Sequence, residues 1–237
     1  MIDVHSHILP GVDDGSRNLS ESLAILKGLA EQDVTDVILT PHFVNDSSYI
    51  YPRNENIRRY RILQEKADEA GLNISLNLGN EIYIDRDISR LLKTKRISSL
   101  DNSRYILVEL PMSGEYPDFE DILLGLKYEG WIVILAHPER YHSYHENYKK
   151  IYDLTERGIL LQCNLGSIIG QYGRKSKKIL KKLAKDKLIF CFGTDIHRIR
   201  DFSEIKKAQQ KLLRYYSADE LRSLLETNPR QILNGTM

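Results

Sequence analysis

The chain carries the apolar run Ile132-Val133-Ile134-Leu135-Ala136 directly before the polar residues His137-Pro138-Glu139-Arg140. A short, continuous run rich in Ile, Val and Leu is typical of a parallel strand that is covered on both faces. Six further runs of this kind recur along the chain, and they predict strands at Ile2–His5, Asp36–Thr40, Ile74–Leu78, Tyr105–Glu109, Ile159–Asn164 and Leu188–Gly193.

Amphipathic segments separate these runs and predict helices at Leu19–Gln32, Glu55–Ala70, Asp87–Lys93, Asp118–Glu129, Glu146–Arg157 and Ser176–Lys185. Three more helices are predicted to close the chain, at Phe202–Tyr215, Ala218–Glu226 and Pro229–Leu233. Seven βα units in succession favour an α/β fold whose parallel sheet closes into a barrel. No repeat, low-complexity tract or linker interrupts the sequence, so we expect residues 1–237 to form a single domain.

Composition excludes several classes of protein. The 237 residues are 41% hydrophobic and 28% charged, which is ordinary for a globular domain. A formal net charge of +1 provides no strong field for nucleic acid or anionic lipid. No apolar run reaches the roughly 18 residues of a membrane helix, and the N-terminal residues show no signal-peptide pattern. We therefore expect a cytoplasmic protein without a nucleic-acid partner and without direct membrane insertion.

Histidines and carboxylates stand where six of the seven predicted strands end. Because the carboxyl ends of parallel strands meet at one rim, these side chains are expected to lie together. His5 and His7 are two residues apart and point to the same side of an extended chain, as do Asp195 and His197. With one aspartate from the loop after the first strand, either Asp13 or Asp14, the candidates number nine; the other eight are His5, His7, His42, Glu81, Glu109, His137, Asp195 and His197.

Imidazole combined with carboxylate suits divalent ions such as Mn²⁺, Fe²⁺ or Zn²⁺. Nine donors exceed what one ion uses, whereas two or three ions can share them, and multi-metal sites are typical of phosphoester hydrolysis. A single histidine or carboxylate at a strand end is more often an ordinary hydrogen-bonded residue or a helix N-cap. That explanation would have to hold at six strand ends independently. His142 and His145 lie outside the pattern and are predicted to be surface residues.

The segment Asp3–Gly15 reads DVHSHILPGVDDG and resembles the opening motif of the PHP (polymerase and histidinol phosphatase) superfamily. More narrowly, it resembles the CpsB/YwqE-type tyrosine-protein phosphatases of bacterial capsule and exopolysaccharide operons. The similarity spans the whole chain, and its further motifs follow in order at Thr40-Pro41-His42, Gly79–Tyr83, Val108–Pro111, His137–Tyr141, Asp195–His197 and Asn228–Leu233.

The resemblance implies a distorted (β/α)7 barrel with a trinuclear metal centre, usually described with manganese. We expect two to three Mn²⁺ ions in each chain, with Fe²⁺, Zn²⁺ or Mg²⁺ as substitutes. The resemblance implies a first ion held by His5, His7, Glu81 and Asp195. Glu81 would bridge to a second ion that Glu109 and His137 complete. A third ion would be held by Asp14, His42 and His197. The choice of Asp14 over Asp13 comes from the resemblance alone.

The resemblance also implies an activity, in which a metal-bound hydroxide attacks phosphotyrosine on the tail of a membrane-associated tyrosine kinase that controls capsule synthesis. Arg140 matches the phosphate-binding arginine of the family. A second family arginine would stand at Phe202 here. We predict that Arg200 takes its catalytic and substrate-binding role, with Arg198 as the alternative substrate-binding residue.

Other hypotheses make distinct predictions. A cysteine phosphatase needs an arginine six positions after its nucleophile, but Ile169 follows Cys163 and His197 follows Cys191 at that spacing. Both cysteines are therefore predicted to be buried residues of strands. A histidinol-phosphate phosphatase or another small-molecule phosphoesterase shares the metal chemistry and remains open.

Two further functions are considered as alternatives, together with the formation of homo-oligomers. A nuclease or a polymerase-associated proofreading module would need a basic surface, and the only dense basic stretch, Arg174–Lys187, is predicted to be a solvated helix face. A non-catalytic metal-binding module would be expected to have lost ligands, and none of the nine is missing. The segment Glu21–Leu26 resembles one that mediates homo-oligomers in some relatives, although it equally fits an ordinary amphipathic helix.

Overall fold

The computed structural model describes residues 1–45, 47–114 and 116–236. Its strands are short and every strand pairing is parallel. They are β1 (Ile2–Ser6), β2 (Asp36–Leu39), β3 (His42–Phe43), β4 (Ser75–Leu78), β5 (Glu81–Tyr83), β6 (Tyr105–Glu109), β7 (Ile132–Ala136), β8 (Leu160–Asn164) and β9 (Cys191–Gly193).

Helices connect the strands and close the chain. They are α1 (Leu19–Ala30), α2 (Arg53–Glu69), α3 (Ile88–Lys93), α4 (Phe119–Tyr128), α5 (His142–Glu146), α6 (Lys149–Glu156), α7 (Leu165–Ile169), α8 (Gly173–Lys185), α9 (Ser203–Leu212), α10 (Ala218–Arg222) and α11 (Asn228–Asn234). A π-helical turn, Ser223–Thr227, joins α10 to α11, and 3₁₀ turns lie at Leu100–Asn102 and Pro138–Arg140. In the part of the chain that the structure describes, no helix combines the length and apolar character of a membrane span.

The strands occupy seven positions, here called staves, around a distorted barrel, which confirms the predicted fold class. Two staves are each divided in two, because Thr40-Pro41 separates β2 from β3 and Gly79-Asn80 separates β4 from β5. The result is a three-stranded sheet in the order β1-β2-β4 and a six-stranded sheet in the order β3-β5-β6-β7-β8-β9. The barrel closes where Asp195 N donates to His5 O and His7 N donates to Ile196 O, both at 2.9 Å.

Alternate residues of the strands face two different apolar clusters. Ile106 and Val108 of β6 pack in a layer that also contains Leu180 and Leu183 of α8. Leu107, between them, belongs to a smaller cluster formed almost entirely by strand residues. This alternation is the pattern of a barrel with an apolar interior and an outer ring of helices. Its consequence for function is a rigid scaffold that fixes where each strand ends.

Several boundaries differ from the prediction. The helix predicted at Glu146–Arg157 is two helices, α5 and α6, because Asn147 has a non-helical backbone (φ −134°, ψ 83°). The short helix α7 was not predicted, and it ends at Gly170, whose φ of +98° is a left-handed conformation that glycine adopts without a steric cost. Strand β9 begins at Cys191, three residues later than expected. Pro41 explains the break in the second stave, since it has no N–H to donate to a strand ladder.

Candidate metal centre

The structure places all nine predicted site residues at the carboxyl ends of the staves. His5 lies in β1, His42 begins β3, Glu81 begins β5 and Glu109 ends β6. The others lie in the loops that follow β1, β7 and β9; they are His7, Asp14, His137, Asp195 and His197. Three groups of these side chains point ligand atoms into a common space: His5, His7 and Glu81; His42, Glu81 and Glu109; and His7, Asp14, His42 and His197.

The deepest group surrounds one carboxylate oxygen. Glu81 Oε2 lies 3.2 Å from the Nε2 atoms of both His5 and His7. Asp195 Oδ1 approaches the same two nitrogens at 3.6 and 3.5 Å. His5, His7 and Glu81 are fully buried, and Asp195 is 5% exposed. Two nitrogens and two carboxylate oxygens thus converge on one small volume.

Glu81 connects this group to a second one. Its other oxygen, Oε1, lies 2.8 Å from His137 Nε2, while His42 Nδ1 lies 3.0 Å from Oε2. Glu109 flanks both imidazoles, with its two oxygens 3.7 Å from His137 Nε2 and from His42 Nδ1. Glu81 therefore contacts both groups, since Oε2 lies beside His5, His7 and His42 while Oε1 lies beside His137, and both of its oxygens are engaged as in a bridging carboxylate.

The third group lies at the mouth of the site. Asp14 Oδ1 is 3.5 Å from His42 Nε2 and 3.4 Å from His197 Nε2. The side chain of Asp14 is 50% exposed, compared with 28% for His197 and 15% for His42. His42 thus turns one ring nitrogen toward Glu81 and the other toward Asp14, so it lies between the second and third groups. The exposure of the side chains therefore increases from the first group, which is buried, to the third group, which is open to solvent.

The donor set fits divalent cations. Glu81 Oε2 and His42 Nδ1 are buried 3.0 Å apart, yet neither atom has a hydrogen bond of good geometry among the residues that the structure describes. Leaving a buried polar atom without a partner costs about 1–3 kcal/mol. A cation between the two atoms would satisfy both lone pairs, and mixed imidazole and carboxylate donors are the ligands that Mn²⁺, Fe²⁺ and Zn²⁺ accept.

The electrostatics of the metal-free centre lead to the same conclusion. Burial lowers the pKa of His5, but the carboxylates of Glu81 and Asp195 outweigh it and raise the pKa to about 9. Burial likewise opposes the effect of Glu81 and Glu109 on His42, whose pKa is raised to about 10. Burial and the negative charge of Glu81 raise the pKa of Glu109 to about 8. Protons on these groups compensate the clustered carboxylate charge that metal ions would neutralise.

A relay of amides orients the first group. His5 Nδ1 bonds Gln162 Oε1 at 2.8 Å, and Gln162 Nε2 donates to Asn164 Oδ1 at 2.9 Å. Asn164 Nδ2 then donates to Asp195 Oδ2 at 2.7 Å. The fixed direction of the amide donors makes His5 Nδ1 the donor to Gln162, and this leaves Nε2 with a free lone pair for a metal. No pattern in the sequence marks Gln162 or Asn164 as site residues.

Asp13 performs the corresponding role for His7. Its Oδ2 lies 2.8 Å from His7 Nδ1 and also accepts from His42 N at 3.1 Å, while Oδ1 accepts from Gly15 N at 2.9 Å. The two adjacent aspartates therefore differ in position. Asp13 is buried behind the histidines, and Asp14 faces the mouth of the site beside His197. Sequence spacing alone left this choice open.

Two site residues have left-handed backbones that L-residues rarely adopt: His137 at φ +32° and Asp195 at φ +51°. Neighbouring contacts hold both in place. Asp3 accepts hydrogen bonds from Thr194 N and Thr194 Oγ1 at 2.8 and 2.6 Å, directly before Asp195. After His137, the buried Glu139 Oε1 accepts from Asn164 N at 2.9 Å and so ties the turn to β8. Backbone strain of this kind concentrates at functional sites.

The three predicted arginines occupy different environments. Arg140 Nη1 lies 2.6 Å from Asp195 Oδ2, and its guanidinium stacks 4.5 Å from the centre of the Tyr172 ring. Arg200 donates to Thr194 O at 3.3 Å, while its buried Nε has no partner among the described residues. Arg198 bonds Gly15 O, and its Nη1 lies 3.7 Å from Glu21 Oε2, while its side chain is 43% exposed.

The remaining candidates lie away from the chemistry. Cys163 and Cys191 are free and fully buried, as predicted, and burial raises both thiol pKa values well above the usual range. A thiolate nucleophile is therefore disfavoured. His142 is exposed as predicted, whereas His145 is half-buried and its Nε2 bonds Glu139 O at 2.8 Å. None of the metal-ligand groups in the described part of the chain includes either histidine.

Comparison with known proteins gives consistent matches over nearly the whole chain. CapC of Staphylococcus aureus is 32% identical over 243 residues, covering 99% of this chain and 92% of CapC. Tyrosine-protein phosphatase YwqE of Bacillus subtilis is 28% identical over 242 residues, with 99% and 92% coverage. Tyrosine-protein phosphatase CpsB of Streptococcus pneumoniae is 28% identical over 239 residues, with 98% coverage of both chains.

Solved structures agree. A crystal structure from work on YwqE and CpsB, described as metal-dependent tyrosine phosphatases, superposes with a TM-score of 0.89 at 26% identity, covering 100% of this chain and 96% of the other. Histidinol phosphate phosphatase of Lactococcus lactis shares the fold, with a TM-score of 0.61 at 15% identity and coverage of 91% and 94%. The family model for capsular polysaccharide synthesis proteins CpsB/CapC matches residues 1–234. The chain belongs to this CpsB/CapC family.

Proposed function

We propose that this chain is a metal-dependent protein-tyrosine phosphatase that hydrolyses phosphotyrosine on a bacterial tyrosine kinase controlling capsular or exopolysaccharide synthesis. One observation carries the proposal: Glu81, fully buried, joins two groups of imidazole and carboxylate donors in a chain whose relatives YwqE and CpsB are tyrosine-protein phosphatases. A bridged multi-metal centre is a recurrent device for phosphoester hydrolysis.

The proposed ligand sets are those that the family resemblance implies; they differ from the three groups of donors in placing His137 beside Glu81 and Glu109, in adding Asp195 to the first set and in leaving His7 out of the third. The first ion would be held by His5, His7, Glu81 and Asp195. The second would share Glu81 and add Glu109 and His137, and the third would be held by Asp14, His42 and His197. Manganese is the proposed physiological ion, with two to three ions in each chain, since its preference for nitrogen and oxygen donors suits these side chains.

When bound, such ions lower the pKa of water toward neutrality and neutralise charge on the phosphoryl oxygens. The protein's own task is to position the phosphoester against them. Arg140 is proposed to bind phosphoryl oxygens, because a guanidinium offers two parallel donors to an anion. Stacking on Tyr172 and the contact with Asp195 hold it at the edge of the centre.

Arg200 is proposed as the second phosphate-binding residue. Its buried Nε has no partner among the described residues, so it has a hydrogen bond to give to a ligand. The side chain of Arg198 is 43% exposed, and its guanidinium already contacts Gly15 O and Glu21 Oε2. This difference supports Arg200 over Arg198 for the role that the family arginine has at the position of Phe202.

The open rim suits a protein substrate. Asp14 and His197 are partly exposed, so a phosphotyrosine on a flexible tail can reach the centre from solvent. We propose the tail of a membrane-associated kinase as the partner and the cytoplasm as the location. Homo-oligomerisation through Glu21–Leu26 stays a prediction; within this segment of α1, Ser22, Ile25 and Leu26 are buried in the chain's own fold.

Phosphate release from a phosphotyrosyl peptide tests the proposal. The metal-stripped protein should be inactive, Mn²⁺ should restore hydrolysis more than Mg²⁺ or Zn²⁺, and His137→Ala should abolish it. Hydrolysis of histidinol phosphate with no hydrolysis of the peptide would move the substrate to the small-molecule class. Failure on both substrates with every ion would leave a metal-binding module without catalysis.

A further inference from the structure

A basic surface runs from the metal centre along helix α8. The helix carries seven basic residues and no acidic residue between Gly173 and Lys185, in a chain whose formal net charge is only +1. Ile179, Leu180 and Leu183 pack into the core, so the charges stand on the opposite face. The exposed cations of this face are Arg174, Lys175, Lys178, Lys181, Lys182 and Lys185.

These charges lack the compensation that other helices show. In α2, Arg58 pairs with Glu55 at 2.8 Å and Lys66 pairs with Glu69 at 2.6 Å. On α8, by contrast, none of the seven basic side chains forms an ion pair with a carboxylate of the described residues. Like charges at i, i+3 and i, i+4 destabilise a helix. An uncompensated row of this length is therefore a surface suited to an anionic partner.

The row borders two adjoining cavities that connect it to the catalytic rim. The first, of about 440 Å³, is lined by Arg140 and Tyr172 together with His145 and Lys175. The second, of about 570 Å³, shares His145 and Lys175 and continues along the lysines to Lys185. Arg140 thus contacts the metal-site residue Asp195 and also lines the start of the groove.

We infer that this basic groove binds an acidic segment next to the phosphotyrosine of the protein substrate. Lys175 and Lys185 are ten residues apart, which is roughly 15 Å along a helix. An extended peptide advances roughly 3.3 Å per residue, so the row can face about five residues of substrate. The occupant is a peptide continuous with the reacting phosphotyrosine, because the groove begins at the arginine proposed to bind its phosphate.

The second cavity also has an aromatic lining. Tyr148 lines it, and Lys182 Nζ stands 3.6 Å from the centre of the tyrosine ring in direct contact. Among the described residues, Glu146 is the one carboxylate of its lining. An aromatic ring among lysines provides apolar contact together with charge recognition for side chains that carry carboxylates or further phosphates.

The inference rests on the proposed phosphatase function, and the test separates the two. Two phosphotyrosyl peptides are compared at low ionic strength with the Mn²⁺-loaded full chain, one with Asp and Glu on the flanks and one with Asn and Gln. We expect kcat/KM to be about tenfold higher for the acidic peptide, and the preference to shrink as salt screens exposed charges.

The triple variant Lys178→Glu, Lys181→Glu and Lys185→Glu should reduce the preference toward one. A second variant with Gln at the three positions should have an intermediate preference. The control carries Lys27→Glu, Lys211→Glu and Arg214→Glu, which are exposed residues outside both cavities and change the net charge equally. The control should keep the wild-type preference.

Equal kcat/KM for the two peptides in the wild type would overturn the inference that the groove binds an acidic segment, and it would leave the phosphatase function intact. If the triple variant instead loses binding to vesicles of phosphatidylcholine and phosphatidylserine while the peptides remain equivalent, the surface serves an anionic membrane and the inference is wrong. Hydrolysis of neither peptide would refute the phosphatase function itself, and the groove's role in substrate binding with it.

Discussion

At the scale of single residues, the candidate centre depends on side chains that are not proposed metal ligands. Gln162 and Asn164 lie on β8, the one predicted strand whose end carries no histidine or carboxylate. Their amides link His5 to Asp195 by consecutive hydrogen bonds of 2.7–2.9 Å. The strand without a metal-type ligand thus orients the ligands of its neighbours.

Gln162→Leu should therefore impair the centre although Gln162 is not a proposed ligand. Loss of an orienting hydrogen bond to a ligand histidine typically costs about 10–100-fold in metal affinity or activity. Measuring Mn²⁺ affinity and phosphatase activity on the same samples checks this. Gln162→Glu keeps an acceptor for His5 Nδ1 and should retain more of both. Wild-type affinity in the Leu variant would contradict the orienting role.

Substitutions of Arg200 and Arg198 should differ in their effect on catalysis. Arg200→Ala should lower kcat/KM for a phosphotyrosyl peptide by about tenfold or more, since hydrogen bonds to charged groups contribute about 1.5–3 kcal/mol. Arg198→Ala should change it by less than about threefold, because its half-exposed guanidinium is already engaged by Gly15 O and Glu21. Metal content is the control and should stay constant in both variants. A larger loss in Arg198→Ala would reverse the assignment.

Metal binding should release protons near neutral pH. His5, with a pKa of about 9, and His42, with a pKa of about 10, are protonated at pH 7 in the metal-free protein, and a ligand imidazole must be neutral. Apparent Mn²⁺ affinity should therefore rise between pH 6 and pH 8. Calorimetry in two buffers of different protonation enthalpy measures the released protons directly. An affinity independent of pH over this window would show that the histidines are already neutral.

At the scale of elements, the turn after β7 is built around one tyrosine. Tyr141 is fully buried; its hydroxyl donates to Ala136 O at 2.7 Å and accepts from Leu110 N at 3.0 Å. These bonds join the ends of β6 and β7, which carry Glu109 and His137. The tyrosine of the His137–Tyr141 motif thus has a structural role that its position in a sequence motif does not reveal.

Tyr141→Phe should lower the free energy of unfolding by about 1–3 kcal/mol, because it leaves the buried Leu110 N–H without a partner. Urea unfolding of the metal-free protein measures the change without a contribution from bound ions. Tyr128→Phe is the matched control, since Tyr128 is 88% exposed and should change the free energy little. Equal stability of the two variants would argue against this role for the Tyr141 hydroxyl.

At the scale of the whole molecule, periodicity and polarity were sufficient to predict the barrel and the clustered side chains. Continuous apolar runs identify parallel strands, and parallel strands end at one rim, so His137 and Asp195 could be placed together although 58 residues separate them. The two-residue strand β3 was not predicted because it is too short for an apolar pattern. Gln162 was missed because an amide inside an apolar run resembles any satisfied core residue. That residues 1–237 form one domain stays a prediction.

The central claim is that one centre, bridged by Glu81, binds the ions and supports hydrolysis. Bound metal and phosphate release are measured together on the metal-stripped protein as Mn²⁺ is added, for the wild type and for Glu81→Gln. We predict two to three ions in each wild-type chain, with activity that follows their binding. In Glu81→Gln we predict fewer bound ions at the same Mn²⁺ concentration and an activity lower by at least about 100-fold. Full activity in the metal-free protein, or in Glu81→Gln, would contradict the account.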